Sequence, residues 1–188
     1  MTAGTGAARA ALLDRCVTFL QESGFGELSL REIAAGVGTS HRMLIYHFGS
    51  REGLLAAVVG RVEAEQRVAL DALANSELEP SDVARAFWRH VADPSLTPAV
   101  RLFFEIYLQA VRGRDWTDGF RRAVIDAWEG PLTEAYAGLP DARARARLSL
   151  AVGRGLLLDL LLTGDRATVD AADDLFVRMV TAAADRGN

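Results

Sequence analysis

Three side chains able to donate hydrogen bonds to an acidic partner, His41, Arg42 and Tyr46, lie close together in one short segment. The guanidinium of Arg42 is planar and always charged, so it can donate to two acceptors at once. The O6 and N7 atoms of guanine form such an acceptor pair in the DNA major groove. Side chains of these types, presented on one surface, could therefore read base edges.

The residues that usually carry catalysis or bind metals form no recognised pattern. His41, His47 and His90 show no HxxxH spacing, and the single cysteine, Cys16, cannot build a sulfur-rich zinc site. A GxxxxGKS phosphate loop is excluded because the chain has no lysine. The sequence therefore predicts no metal, no cofactor and no enzymatic activity. A buried structural thiol is favoured for Cys16, and a redox sensor is the alternative.

The segment 29–48 carries the signals of two short helices joined by a tight turn. Ser29 and Glu32 form a capping box that starts the first helix. Gly38 can adopt a left-handed conformation, which ends this helix and turns the chain by about 90–120°. Ser40 can cap the second helix. The expected inward residues of that helix are Leu44 and Phe48, and the outward ones are His41, Arg42, Ile45 and Tyr46. Such a pair of helices presents its second member to the DNA major groove.

Several short motifs at the start of the chain fit one known pattern. They are Gly24-Phe25, the run Leu30-Arg31-Glu32-Ile33-Ala34, Gly38, Tyr46-His47-Phe48 and Ser50-Arg51-Glu52. This part of the chain, about the first sixty residues, resembles the DNA-binding segment of tetracycline-repressor (TetR) family regulators. The resemblance implies a homodimer whose last two helices form a four-helix interface with those of the partner. It also implies that the C-terminal domain holds a small-molecule effector.

The recognition segment departs from the family's usual pattern at three places. Met43 and Ile45 stand where hydroxyl-bearing side chains often contact the DNA backbone, so those contacts must come from elsewhere. Arg42 replaces a common Gly or Pro, and Arg51 replaces a common Lys while keeping the charge. We predict base-edge contacts from Arg31, His41 and Arg42. Backbone contacts are predicted from Ser29, Tyr46, His47 and Arg51, and Ser40 completes the set of DNA-binding residues.

For three of these residues a purely structural role is the alternative. Arg31 could pair with a neighbouring carboxylate on the helix surface. Tyr46 could pack against the first helix, and His47 could cap the end of its own helix.

Composition and helix signals indicate an all-α chain with two parts. The 188 residues are half hydrophobic, with a formal net charge of −4, which does not by itself suggest a nucleic-acid binder. We predict a DNA-binding domain over residues 1–52 and an effector-binding and dimerisation domain over 53–188. No stretch is long and apolar enough for a signal peptide or a membrane span, so we expect a cytoplasmic protein without membrane contact.

Caps and prolines predict the remaining helices. The first dozen residues are expected to be frayed before a helix that ends near Gly24. A long fourth helix should run from Ser50 to about Ala74. Further helices are expected over 80–93, 97–112, 117–136, 141–162 and 169–185. Pro131 should kink or split the third of these, and Thr168 should open the last.

The C-terminal part is rich in aromatic residues and in leucines. A helical bundle lined by aromatics could hold an apolar effector, although an ordinary core is the alternative. The predicted pocket residues are Trp88, Phe103, Phe104, Tyr107, Trp116, Phe120 and Trp128. The leucine runs 156–158 and 160–162, with small residues nearby, predict helices covered by a second copy of the chain.

Together these features predict a DNA-binding transcriptional regulator. The expected form is a ligand-responsive repressor that binds a palindromic operator as a homodimer, with double-stranded DNA and an unidentified small molecule as its partners. One alternative is a helical small-molecule-binding protein or enzyme whose N-terminal domain, here called the head (residues 1–52), mediates protein contacts. Another is a redox-sensing regulator that uses Cys16.

Overall fold

The computed structural model describes residues 3–23 and 28–185 of the chain. This part of the chain is helical and contains no strand, as the sequence predicts. The α-helices are α1 (Ala3–Ser23), α2 (Leu30–Gly36), α3 (His41–Phe48), α4 (Arg51–Ala74), α5 (Pro80–Val91), α6 (Thr97–Val111), α7 (Asp118–Ala135), α8 (Ala142–Thr163) and α9 (Arg166–Asp185). Short 3-10 turns precede α6 and α7.

The chain divides into two compact units. One comprises Met1–Ala64 and Pro98–Arg122, and the other comprises Glu65–Thr97 and Ala123–Asn188. The first unit contains the helices that carry the predicted recognition segment. The predicted domain boundary after residue 52 stays a prediction.

The core of the first unit forms from apolar residues at helical spacing. Buried residues of α1, α2, α3 and the start of α4 provide it: Leu12, Cys16, Val17, Leu20, Leu30, Ile33, Leu44, Phe48, Leu54 and Val58. Leu44 and Phe48 both face inward, which confirms the expected orientation of α3. The apolar faces of these helices therefore hold a three-helix platform together.

A cluster around Trp88 forms the core of the second unit. Trp88 and Val169 are buried together with Ala92, and leucines of α8 pack against them. The indole Nε1 of Trp88 donates to Asp170 at 2.7 Å, which places a polar anchor inside the apolar cluster. Arg166 donates to Asp170 and also to the backbone oxygen of Ala92. These bonds fix α9 against α5.

Two helix starts and the unbroken course of α7 differ from the sequence predictions. The first helix begins at Ala3, because its alanine-rich start favours helix, whereas we expected a frayed segment. The residues at its predicted end, Gly24 and Phe25, lie outside the described part of the chain. The helix α7 continues through Pro131 and is not split there. The helix α9 begins at Arg166, earlier than predicted, because the carboxylate of Asp165 accepts the Thr168 N–H in the manner of an N-cap.

Candidate nucleic-acid interface

A reciprocal pair of hydrogen bonds starts α2. The backbone N–H of Glu32 donates to Ser29 Oγ at 3.3 Å, and the Ser29 N–H donates to Glu32 Oε2 at 2.8 Å. This confirms the predicted capping box. The bonds from Ser29 lower the pKa of the Glu32 carboxyl, since they favour its charged form.

The turn after α2 depends on a left-handed residue. Gly38 has φ of 67°, a conformation that costs other residues about 1–2 kcal/mol. Ser40 then caps α3, with the Met43 N–H donating to its Oγ at 3.2 Å. The turn and both caps occur where the sequence predicts them, and together they set the direction of α3.

The outer face of α3 is exposed. His41 and Arg42 lie in solvent, and Tyr46 is 69% exposed. Tyr46 therefore does not pack against α1, and that alternative is wrong. Met43 and Ile45 share the outward side with exposures of 41% and 39%, so two apolar side chains stand beside the predicted base-reading residues.

The C-terminal end of α3 is held by a residue that we did not predict. The Nε of Arg9 on α1 donates to the backbone oxygen of His47 at 3.1 Å. The same guanidinium lies 5.0 Å from the centre of the Phe48 ring, within cation–π range. A local pattern could not have revealed Arg9, because 38 residues separate it from His47.

The start of α4 closes against the end of α3. The Gly53 N–H donates to Ser50 Oγ at 3.0 Å, which confirms Ser50 as the predicted cap. A Cβ atom on Gly53 would overlap the carbonyl oxygen of Phe48, so only glycine allows this approach. Arg51 Nε donates to the Leu28 backbone oxygen at 2.8 Å, which ties α4 to the start of α2.

The remaining predicted DNA-binding residues lie on the same unit. Arg31 is exposed, and no described carboxylate lies within ion-pair distance of it. The half-buried ring of His47 packs edge-on against Tyr46 at 4.9 Å. Ser29 and Ser40 are exposed while they serve as caps. The structure thus brings the eight predicted residues to the helix-turn-helix, and their contacts with DNA stay predictions.

Cys16 lies in the core of the same unit. Its side chain is fully buried, and burial raises the pKa of the thiol to about 11 although nearby Arg15 opposes the shift. The thiolate is the reactive form of cysteine, so the raised pKa and the burial of the side chain both disfavour reaction at neutral pH. The redox-sensing alternative therefore loses its support.

The predicted pocket aromatics lie in both compact units. In the first unit, the rings of Phe104, Tyr107 and Phe120 lie 5.1 to 5.7 Å from that of Phe103. In the second unit, Trp88 belongs to the core cluster and Trp128 is buried against the ring of Phe87 at 5.7 Å. Trp116 is half-buried in the 3-10 turn before α7. Whether any of these residues binds a ligand stays a prediction.

Two further features bear on the class of protein. The described residues include no cluster of His, Cys, Asp or Glu that could hold a metal ion. None of the helices described here combines the length and apolar character that crossing a membrane requires.

Comparison with known proteins agrees with this geometry. Residues 12–58 match the model of the family described as bacterial regulatory proteins, tetR family. No curated protein matches the chain.

Solved structures resemble the chain over most of its length. A TetR-family transcriptional regulator from Pectobacterium atrosepticum is 21% identical, with a TM-score of 0.73 over 96% of this chain and 95% of its own. A transcriptional regulator from Rhodococcus sp. Rha1 is 20% identical, with a TM-score of 0.71 over 91% and 94%. The multidrug binding protein EbrR, solved with imidazole, is 24% identical, with a TM-score of 0.63 over 90% and 93%.

At these identities the structural likeness establishes the fold of the chain. The family match covers the segment that forms α2, α3, the turn between them and the start of α4. Over residues 12–58 the chain matches the model of bacterial regulatory proteins of the tetR family, and this matched segment contains the helix-turn-helix formed by α2 and α3.

Proposed function

We propose that the chain is a homodimeric, ligand-responsive repressor of transcription that binds a palindromic operator in the cytoplasm, and that it is not an enzyme. The observation that carries this proposal is the outer face of α3. There Arg42 and His41 stand in solvent on a helix whose two ends are fixed by Ser40 and Arg9. A rigid helix with exposed donors is what base reading in the major groove requires.

The residues around α3 divide into two roles. Arg31, His41 and Arg42 contact base edges, where Arg42 is suited to a guanine. The DNA backbone is contacted by Ser29, Tyr46, His47 and the charged end of Arg51. Met43 and Ile45 lie between these groups and can contact thymine methyl groups, an apolar contact that also distinguishes bases.

Dimerisation is supported by the surface of the last two helices. On α8 the exposed positions Leu148, Leu158 and Leu162 follow the three-to-four spacing of one helix face, and Leu162 is 86% exposed. On α9, Leu175 and Met179 are 51% and 63% exposed. An apolar surface of this kind suits a two-fold interface, and two heads then read two half-sites.

Response to a small molecule requires different affinities in two states. A ligand that binds the DNA-free conformation more tightly, with a coupling of about 1–3 kcal/mol, lowers operator affinity about 5- to 150-fold. The name of the similar protein EbrR states that it binds multiple drugs. The aromatic residues predicted for the pocket give this chain side chains suited to apolar ligands.

The proposal is tested by mapping the bases that the chain protects on genomic fragments, followed by a salt titration on the fragment found. We expect sequence-selective binding whose affinity falls steeply with salt, because arginines displace counterions from phosphates. The same duplex with a scrambled half-site is the control. Absence of duplex binding at low salt would favour the rival, a helical binding protein or enzyme whose head contacts other proteins.

A further inference from the structure

Two polar side chains interrupt the buried face of α4. Leu55, Val58 and Val62 follow each other at helical spacing and are buried, and Gln66 continues this stripe with an exposure of 8%. The Oε1 atom of Gln66 is buried and has no hydrogen-bond partner. Polar atoms at such positions are normally paired, since an unpaired one loses its bonds to water.

The next residue, Arg67, carries the stronger signal. Its Nη1 atom is buried and has no hydrogen-bond partner among the described residues. The guanidinium carbon lies 5.8 Å from the centre of the Trp128 ring. Trp128 is 5% exposed, and the ring of Phe87 lies 5.7 Å from it on the same unit. Arg67 thus places its guanidinium beside the Trp128 ring and keeps one buried donor without a partner.

Other arginines of this unit are satisfied differently. Arg85 pairs with Asp174 at 3.0 Å, Arg166 pairs with Asp170 at 2.7 Å, and Arg143 pairs with Glu129 at 2.6 Å. Those arginines need no further partner. No described carboxylate is within ion-pair distance of Arg67, although a guanidinium cannot lose its charge at physiological pH. Arg67 is half-buried as a residue, but a buried guanidinium nitrogen without a hydrogen-bond partner is costly, and an aromatic ring offsets this cost only in part.

We infer that Arg67 anchors the carboxylate of a small organic acid, which is the class of effector this chain responds to. The carboxylate accepts from Nη1, and the aromatic or apolar body of the acid packs against Trp128 and Phe87. Gln66 leaves α4 about 100° away from Arg67, so its Oε1 accepts from a donor on the body of the ligand. The biological role of this inference rests on the proposed function, in which the chain responds to a ligand. Its test does not, because it measures acid binding directly.

The test measures binding to the full chain by isothermal titration calorimetry. The probes are benzoate, phenylacetate and indole-3-acetate, each compared with its uncharged primary amide. We expect at least one acid to bind at least about tenfold more tightly than its amide, because only the acid supplies a charge-assisted hydrogen bond. Equal binding of each acid and its amide, or no acid binding at about 10 mM, would overturn the inference.

Variants of Arg67 locate the anion. Arg67→Gln is expected to weaken the acid about 10- to 100-fold and leave the amide unchanged, whereas Arg67→Lys should give an intermediate loss. The matched control is Arg89→Gln, which removes a charge from an exposed arginine of the same unit and should change neither affinity. Unchanged acid binding in Arg67→Gln would also overturn the inference.

Melting temperatures separate a binding role from a structural one. Arg67→Met replaces the half-buried arginine with an apolar side chain and removes the unpaired Nη1, so without ligand its melting temperature should stay equal to that of the wild type or rise. A large fall in both Arg67→Met and Arg67→Gln would mark Arg67 as structural. If a variant fails to fold, the comparison of acid with amide on the wild type still decides the outcome.

Operator binding is measured in parallel, so that two failures can be told apart. A chain that binds its operator but no acid contradicts the inference and leaves the proposed function standing. A chain that binds an acid through Arg67 but selects no operator supports the inference and contradicts the proposed function.

Discussion

The helices α3 and α9 distribute polar and apolar residues in different ways. In α3 the apolar Leu44 and Phe48 face the core, while charged Arg42 is exposed. In α9 the carboxyl of Asp173 is buried with 8% exposure, while Leu175 and Met179 stand in solvent. The helix α9 therefore partly inverts the order that α3 follows.

This difference indicates what each exposed face binds. An exposed charge costs nothing in water and attracts a polyanion over a distance set by salt. An exposed leucine gains free energy only when another apolar surface covers it, at about 25 cal/mol per Å². The outer face of α3 thus suits DNA, and the outer face of α9 with α8 suits a second protein surface.

The largest expected effect comes from charging the outer face of α8. The double variant Leu158→Glu with Leu162→Glu should give a monomer by light scattering, because carboxylates cannot be buried in an apolar interface. Operator affinity should then fall by about 10²- to 10⁴-fold, since the two half-sites are no longer read together.

The control is Leu78→Glu, which charges a leucine of 47% exposure between α4 and α5. It should leave both the dimer and its affinity intact. A double variant that remains dimeric would remove the contrast between the outer face of α3 and the outer face that α9 shares with α8.

The buried carboxyl on the inner side of α9 gives a pH-dependent effect. Burial raises the pKa of Asp173 to about 6, with smaller contributions from Asp174 and Asp170 and opposition from Arg85. An unfolded aspartate has a pKa of about 3.9, so the folded state binds this proton more tightly. Stability is therefore lost as pH rises from about 4 to about 6.

Removal of this charge should consequently stabilise the protein above that range. Asp173→Asn is expected to raise the free energy of unfolding by up to about 3 kcal/mol at about pH 8, and by little at about pH 4. Urea titrations at both pH values measure it. Asp126→Asn, which removes the charge of an exposed aspartate in the same unit, is the control and should change stability at neither pH. An equal gain in the free energy of unfolding at both pH values would contradict the conclusion that Asp173 is charged and buried above about pH 6.

Arg42 tests the outer face of α3, the polar member of this comparison. Arg42→Ala should cost about 1–3 kcal/mol of operator binding and relax the preference at one base position, since a guanine contact is lost. Binding to a library of operator variants measures both quantities. The exposed Arg89 lies outside the head, so Arg89→Ala should change neither. Equal weakening on every sequence would show that Arg42 contacts phosphate instead.

The smallest effect tests the turn that orients α3. Gly38→Ala should lower the free energy of unfolding by about 1–2 kcal/mol, because alanine disfavours φ of 67°. Gly60→Ala is the matched control within α4, where a Cβ meets no atom within 4 Å, and it should be neutral or stabilising. Chemical denaturation of both variants measures these changes in the free energy of unfolding. A neutral Gly38→Ala would show that the turn tolerates a side chain.

The parts of the fold that the sequence could predict depend on neighbours in the chain. The capping box at Ser29, the cap at Ser40 and the turn at Gly38 each involve residues within three positions. Their hydrogen bonds need no knowledge of tertiary structure, so spacing alone identifies them. The inward orientation of Leu44 follows from the same local periodicity.

The parts that could not be predicted depend on residues that are far apart in sequence. Trp88 fits an aromatic pocket by composition, but its indole bonds Asp170, 82 residues away, inside the core. The unpaired donor of Arg67 is visible only once the surrounding helices are in place. Continuity of α7 through Pro131 is likewise a tertiary outcome, because packing can outweigh a local preference.

The contacts of Arg9 with the end of α3 have a practical consequence for protein engineering. Arg9 precedes the family match, which starts at residue 12, so a fragment cut to that match would lack it. A recognition unit transplanted into another regulator should therefore begin upstream of Arg9. Fusions that omit this arginine would keep every side chain predicted to read bases and lose the hydrogen bond from Arg9 to the end of α3.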